Sequence, residues 1–170
     1  MRLNSFGSKF LAVAAVGLFL AACEKAPENA ANTGGSGTST MSTGPSTSGI
    51  ASGSVQDFQV NVGDRVFFDF DKYDVKPAGK ATLDKQAAWL KKYPNWKVVI
   101  EGHADERGTR EYNLALGERR ANAVKTYLVN QGIPANRVTT ISYGKERPVA
   151  LGSNEAAWAQ NRRGVTVLSN

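Results

Sequence analysis

The sequence predicts an α/β fold, a two-layer sandwich in which helices pack on a mixed sheet of about four strands. Short apolar runs typical of strands alternate with two longer segments whose apolar residues recur at helical spacing. The order strand, helix, strand, helix, strand is that of consecutive βαβ units. With 170 residues, 41% of them hydrophobic and 21% charged, the chain suits one such domain plus extensions.

The first half of the domain is predicted to be strand, helix and strand. The aromatic stretch 65–71 indicates the first strand. A helix is predicted from about Pro77 to Tyr93, because proline suits a first helical turn and apolar residues then recur at helical spacing. These residues are Leu83, Ala87 and Leu90. The uninterrupted apolar run 98–100 predicts a central strand that is covered on both faces.

The second half begins with another amphipathic helix, which Gly132 and Pro134 end. Its apolar stripe consists of Leu114, Gly117, Ala121, Val124 and Leu128. Two further strands are predicted at 138–143 and 164–168, with a short helix near 154–160 between them.

The N-terminus has the pattern of a signal peptide over residues 1–22. Arg2 and Lys9 supply positive charge, and an apolar run over residues 10–20 follows them. That run is about half of the ~20 residues that a membrane-spanning helix needs, so we expect it to be removed rather than to anchor the chain. A cysteine, Cys23, stands where the mature chain would begin.

Leu-Ala-Ala-Cys, ending at Cys23, resembles the lipobox of bacterial lipoproteins, which implies a lipidated Cys23 as the first mature residue. Several acyl chains make such an anchor effectively permanent. Glu24 follows, and the resemblance then implies the outer membrane, with the domain facing the periplasm. The alternative is an ordinary secreted protein with a chance cysteine. Residues 23–54, rich in Ser, Thr, Gly and Asn, are expected to form a flexible tether before a domain at 55–170.

Charge and composition limit the partners. The formal net charge is +6, but part of it lies in the segment expected to be removed. The sequence has no dense Lys/Arg run and no interleaved aromatic platform, so we expect no nucleic-acid partner.

The densest polar cluster, residues 101–109, directly follows the central strand, where open α/β sheets commonly bind ligands. On the second helix, Asn113, Leu116 and Arg120 share one side because they are spaced by three and four. Asp105 in the loop can accept from an ammonium, and the planar Arg120 fork can hold a carboxylate. This predicts a receptor for a zwitterionic group such as a free amino-acid terminus. The alternative is a structural salt bridge between Asp105 and Arg120.

The segment EGHADERGTREYNLALGERRANAV, with FDFDKYDVKP before it and NRRGVTV after it, resembles the OmpA-like peptidoglycan-binding domains. The resemblance covers 55–170, and SYGKERP is typical of the lipoprotein branch. It implies that Asp105 and Arg120 bind the free end of meso-diaminopimelate in a peptidoglycan stem. Five further residues would line the pocket: Phe70, Asp71, Arg107, Asn113 and Leu116. The implied protein partners are TolB and TolA. Ala104 and Gly117 depart from the usual Thr and Ser.

The polar residues of the loop also allow two other classes of site, a metal site and a hydrolase site. His103, with Glu101 and Asp105, could suggest a metal site. A zinc site normally has three or four ligands and includes Cys or more than one His, so we expect neither metal nor cofactor. A cell-wall hydrolase could use Asp105 with Glu106 or Asp71 as paired carboxylates. The sequence has no nucleophile-elbow motif. A binding protein rather than an enzyme is therefore favoured.

Overall fold

The computed structural model describes residues 49–170, so the predicted signal peptide, Cys23 and most of the expected tether lie outside the described residues. The α-helices are α1 (Val55–Asp57), α2 (Pro77–Lys92), α3 (Arg110–Asn130) and α4 (Glu155–Asn161). The strands are β1 (Arg65–Phe67), β2 (Lys97–His103), β3 (Val138–Gly144) and β4 (Arg163–Ser169). Over this range, none of the helices has the length and apolar character needed to cross a membrane.

The four strands form one mixed sheet in the order β1-β4-β2-β3. The parallel strands β2 and β3 are joined through α3, whereas β4 runs antiparallel to both of its neighbours, β1 and β2. The apolar run 98–100 lies in β2, an interior strand as predicted. The α/β fold with helices on a mixed four-stranded sheet is therefore confirmed.

The hydrophobic core lies between the sheet and the two long helices. Val98 and Ile100 of β2 are buried in it together with apolar residues of the helices, among them Leu83, Leu90, Val124 and Leu128. Val99 points to the other face and is only half-buried, while its cross-strand partner Val167 is 39% exposed. The expectation that this run is covered on both faces is wrong for the described residues. Successive side chains of a strand alternate between faces, and the core covers only the face that Val98 and Ile100 share.

The helix α2 agrees closely with its predicted span, and its stripe is buried as the spacing predicts. The helix α3 ends at Asn130, just before the Gly132 that was predicted to end it. One member of the predicted α3 stripe, Leu114, is instead 49% exposed. The buried side of α3 includes polar residues, Asn113 and Arg120, beside Leu116 and Ala121. An apolar stripe alone could not place this helix, because its buried side turns toward a polar region at its N-terminal half.

The helix α3 approaches β2 so closely that both contact positions are glycines. A Cβ built on Gly102 would lie 1.8 Å from the carbonyl oxygen of Gly117. A Cβ built on Gly117 would lie 2.3 Å from the Oγ of Ser142. Glycine is the residue that permits such backbone contact. Position 117, where the resemblance leads us to expect Ser, is Gly in this chain. The hydroxyl of Ser142 occupies the adjacent space and donates to the Leu114 carbonyl.

Hydrogen bonds to the folded domain begin slightly before its expected start at Val55. The carboxylate of Asp57 accepts from the Trp89 indole N–H and from the Gly53 backbone N–H, each at 2.8 Å. These bonds, the Trp89 bond foremost, lower the pKa of Asp57 to about 2. The Gly53 carbonyl in turn accepts from the Trp96 indole at 3.1 Å. Both tryptophans therefore help to attach this N-terminal segment.

The first strand is shorter than the predicted span 65–71, since β1 ends at Phe67. Phe68 is still buried, and its N–H donates to the Arg162 carbonyl. The chain then turns, with Asp71 in the left-handed region at φ 57°. Carbonyl groups of this turn accept from Arg120 rather than from a neighbouring strand. A side chain that lies 48 or more residues away therefore ends the extended segment.

Candidate functional site

A cavity of about 190 Å³ lies between the turn after β1, the loop after β2 and the first turns of α3. Its lining includes six of the seven residues predicted to bind a ligand. These are Phe70, Asp71, Asp105, Arg107, Asn113 and Leu116, and Gly108 and Tyr112 complete the lining. The structure therefore brings together residues that are up to 46 positions apart in the sequence around one small polar and apolar space, at the carboxyl end of β2.

The start of α3 fixes one wall of the cavity. Thr109 is the N-cap, and its hydroxyl accepts from the Tyr112 N–H at 3.2 Å. Asn113 is buried, and its amide Nδ2 donates to the carbonyls of Arg107 and Thr109 at 2.8 and 3.0 Å. The loop is thus held to the helix by the Asn113 side chain. The partial positive charge of a helix N-terminus also favours a negative group here.

Asp105 is 4% exposed and forms ion pairs with two arginines. Its Oδ2 lies 2.6 Å from Arg107 Nη2 and 3.3 Å from Arg162 Nη1. Burial acts to raise the pKa of Asp105, but the hydrogen bonds and charge of Arg107, with a hydrogen bond from Arg162, outweigh it. The net pKa is below the usual value, so this buried carboxylate is ionised at neutral pH.

Arg120, the seventh predicted residue, lies behind the cavity and is fully buried. Its guanidinium donates to three backbone carbonyls: Lys72 at 2.8 Å, His103 at 2.7 Å and Asp69 at 3.1 Å. Burial lowers its pKa to about 10, which leaves it charged at neutral pH. Within the described residues, no ion pair joins Arg120 to Asp105, so the structural salt bridge considered above does not form there. Three of the five guanidinium donors instead fix the turn after β1 against β2.

The Phe70–Asp71 turn forms the opposite wall. The hydroxyl of Tyr112 donates to the Asp71 carboxylate, and the same bond raises the pKa of Tyr112. Asp71 has a positive φ, a conformation that Asp tolerates better than most residues. Phe70 is 56% exposed and contributes an apolar ring at the mouth.

Three residues at the site were not singled out from the sequence. Arg162 is buried against Asp105, and Tyr112 lines the cavity. Trp158 lies against Arg107, with 4.0 Å between the guanidinium carbon and the ring centroid. Arg162 belongs to the NRRGVTV segment, which was a usable signal. The sequence contains no such signal for Tyr112 or Trp158, because nothing in their local sequence indicates a partner so far along the chain.

The residues considered for a metal site and for a hydrolase site do not have the arrangement or the pKa values that those sites need. His103 is 1% exposed, and its Nε2 lies 3.5 Å from a carboxylate oxygen of Glu101. Between residues 49 and 170, no three His, Cys, Asp or Glu side chains gather as metal ligands. Glycosidases that use two carboxylates need one of them protonated through a raised pKa. The pKa values of Asp105 and Glu106 are both lowered.

Comparison with known proteins identifies the family. The OmpA family model matches residues 67–162, a span that contains all seven predicted binding residues and ends at Arg162. The chain belongs to the OmpA family. A peptidoglycan-associated lipoprotein of Rhizobium meliloti (strain 1021) is 65% identical over 116 residues. That alignment covers 68% of this chain and 66% of the relative, slightly less than two thirds of its length.

A second sequence relative and a solved structure are also similar to this chain. A peptidoglycan-associated lipoprotein of Mesorhizobium japonicum is 51% identical over 156 residues, covering 89% of this chain and 86% of the relative. The crystal structure of the peptidoglycan-associated lipoprotein from Burkholderia pseudomallei superimposes with a TM-score of 0.64 at 44% identity. It covers 67% of this chain and 98% of that one. The resemblance stated from the sequence is therefore confirmed for family and fold.

Proposed function

We propose that this chain is a lipoprotein of the bacterial envelope that binds peptidoglycan without covalent chemistry, through the free end of meso-diaminopimelate. The observation that carries the proposal is the buried, ionised carboxylate of Asp105 at a small cavity that Arg107 also lines. The names of the two sequence relatives, both peptidoglycan-associated lipoproteins, support the same conclusion.

The cavity offers a complementary group for each part of such a ligand. Asp105 would accept from the ammonium, while Arg107 and the N-terminus of α3 favour the carboxylate. Leu116, which is 4% exposed, and Phe70 give apolar contact for the methylene chain between the two ends of the diamino acid. Arg120 supports the site from behind by holding both walls.

The energetics suit a reversible attachment. Charge-assisted hydrogen bonds contribute about 1.5–3 kcal/mol each, but desolvation and lost freedom offset much of this. A single site would then bind with roughly micromolar affinity. Many copies anchored through Cys23 and facing a polymer of repeated stems would hold far better, since tethering raises the effective concentration.

Co-sedimentation with purified diaminopimelate-type peptidoglycan tests the proposal. The mature chain carrying Cys23→Ser would be compared with Asp105→Asn and with Asp74→Asn, the same change at an exposed aspartate outside this cavity. We expect Asp105→Asn to lower pelleting by about tenfold or more, while Asp74→Asn leaves it unchanged. Equal pelleting of folded variants would contradict the site. Release of soluble muropeptides would instead support the hydrolase alternative.

We further propose that the chain is anchored in the outer membrane and acts in the Tol-Pal system with TolB and TolA, supporting envelope integrity and cell division. If TolB uses a surface that overlaps the cavity, wall binding and TolB binding exclude each other. Pull-down of TolB in the presence of excess stem peptide would then recover less TolB. Recovery of TolB and stem peptide on one molecule would contradict mutual exclusion. Fractionation of membranes would test the proposed location in the outer membrane.

A further inference from the structure

The carboxylate of Asp105 has no free acceptor position in this structure. Its Oδ1 accepts from the backbone N–H and from the Nε of Arg107, both at 3.2 Å. Its Oδ2 accepts from Arg107 Nη2 at 2.6 Å and from Arg162 Nη1 at 3.3 Å. An ionised carboxylate offers about four acceptor positions. A ligand ammonium must therefore displace one of these donors before it can bind Asp105.

Arg162 is not the donor that leaves. Its side chain is 6% exposed, and its other nitrogens are occupied. Nε donates to the Phe68 carbonyl at 3.0 Å, and Nη2 pairs with Glu155 at 2.5 Å. Removing Arg162 from Asp105 would disturb the end of β1 and the start of α4 together. It forms a fixed base for the carboxylate.

Arg107 is the donor that can leave. Its side chain is 31% exposed and lines the cavity, where a ligand would enter. In the described part of the chain, every hydrogen bond from its guanidinium goes to Asp105. The guanidinium carbon lies 3.9 Å from the ring centroid of Phe70 and 4.0 Å from that of Trp158. Two aromatic rings can retain a cation that changes its hydrogen-bond partner, because cation–π attraction does not use the N–H donors.

We propose that Arg107 determines specificity by exchanging ion-pair partners. The ligand ammonium replaces the Arg107 guanidinium as the partner of Asp105. The released guanidinium stays between Phe70 and Trp158 and binds the carboxylate of the same ligand. The inference rests on the proposed function and deepens it. A zwitterion replaces one ion pair with two. A ligand that has only the ammonium breaks the Asp105–Arg107 pair and leaves the guanidinium without an anion, so it binds poorly.

The exchange therefore selects a ligand end that carries an ammonium and a carboxylate together. A stem residue whose carboxylate is converted to an amide lacks a partner for Arg107, and one whose amine is acylated lacks a partner for Asp105. Both are rejected for different reasons. Removing Arg107 should weaken binding of the free end and strengthen binding of the carboxamide, which a simple contact role would not do.

Calorimetric titration of the mature Cys23→Ser chain tests the exchange. The probes are a stem peptide with a free diaminopimelate end, the same peptide with that end as carboxamide, and the same peptide N-acetylated there. We expect the unaltered site to prefer the free end over the carboxamide by about tenfold or more. Arg107→Gln should bind the free end more weakly and the carboxamide several-fold more tightly, so that the preference largely disappears. Arg119→Gln, at an exposed arginine outside this cavity, should keep the preference.

The outcomes separate this inference from the proposed function. If the unaltered site binds the free end but Arg107→Gln weakens both ligands equally, or changes neither, the exchange is wrong and the binding function stands. If the unaltered site binds none of the probes, the proposed function fails as well. Should Arg107→Gln not fold, Arg107→Lys keeps the charge without the fork. It should still favour the free end, by a smaller ratio, and an undiminished ratio would contradict the exchange.

Discussion

The two ends of the domain are built from different interactions. Between the sheet and the long helices, the core consists of apolar side chains such as Leu83, Leu90 and Leu128, all fully buried. At the cavity end, several of the buried side chains are polar or charged: Arg120 is as inaccessible as the leucines, and Asp105 is 4% exposed. In the core, each contact is one of many similar ones. At the cavity end, a single side chain satisfies several partners, so one substitution affects both walls of the site.

The largest effect is expected where one side chain has the most partners. Arg120→Ala would leave the carbonyls of Lys72, His103 and Asp69 without their donor and create a cavity. We expect a loss of about 3–5 kcal/mol in the free energy of unfolding, measured by urea denaturation, together with loss of wall binding. Arg119→Ala, the exposed neighbour, should change the stability by about 0.5 kcal/mol or less. A loss below about 1 kcal/mol for Arg120→Ala would contradict this account.

The core comparison is Leu90→Ala, which removes a fully buried apolar side chain from the centre of the helix-sheet packing. The expected loss is about 3 kcal/mol in the free energy of unfolding, within the usual 2–5 kcal/mol range. Unlike Arg120→Ala, this variant should bind peptidoglycan normally at temperatures where it is folded. Leu90→Met, which conserves volume, should cost less than about 1.5 kcal/mol. If the folded Leu90→Ala variant also lost peptidoglycan binding, the core and the cavity end would not be energetically independent.

The same division explains what the sequence could predict. The core end follows from local periodicity, and α2 was placed to within one residue of its observed end at Lys92. The cavity end depends on bonds such as Arg162 to Asp105, which are 57 positions apart. No local pattern reports such bonds. Loop position and helical spacing therefore indicated Asp105, Asn113 and Leu116, and the family resemblance added Phe70, Asp71 and Arg107. Neither indicated the position of Arg120 behind the cavity or the ion pair between Arg107 and Asp105.

An intermediate effect is expected from His103, at the end of β2 where the two regions meet. Burial, with the charges of Arg163 and Arg147, lowers its pKa to about 4. The unfolded chain takes up this proton near pH 6.5, whereas the folded domain does so only near pH 4. Stability therefore falls as the pH is lowered from about 6.5 to about 4, by roughly 1–3 kcal/mol from this group.

Urea denaturation at several pH values would measure that dependence. His103→Asn, which does not titrate, should lose less stability on acidification than the unaltered domain does. The comparison uses the difference between pH 7 and pH 4.5 in each protein, so any constant cost of the substitution cancels. An unchanged acid slope in His103→Asn would mean that His103 is already protonated in the folded domain or that water reaches it.

The smallest effect is expected at the rim of the cavity, where Tyr112 and Asp71 are both exposed. Their hydrogen bond is the main cause of the raised pKa of Tyr112. Asp71→Asn should therefore return the Tyr112 pKa toward its ordinary value near 10, observable by ultraviolet titration. Peptidoglycan affinity should fall by less than about fivefold, because exposed polar pairs contribute little. A far larger loss would make Asp71 a direct ligand group, and would move the centre of the site from Asp105 toward the rim.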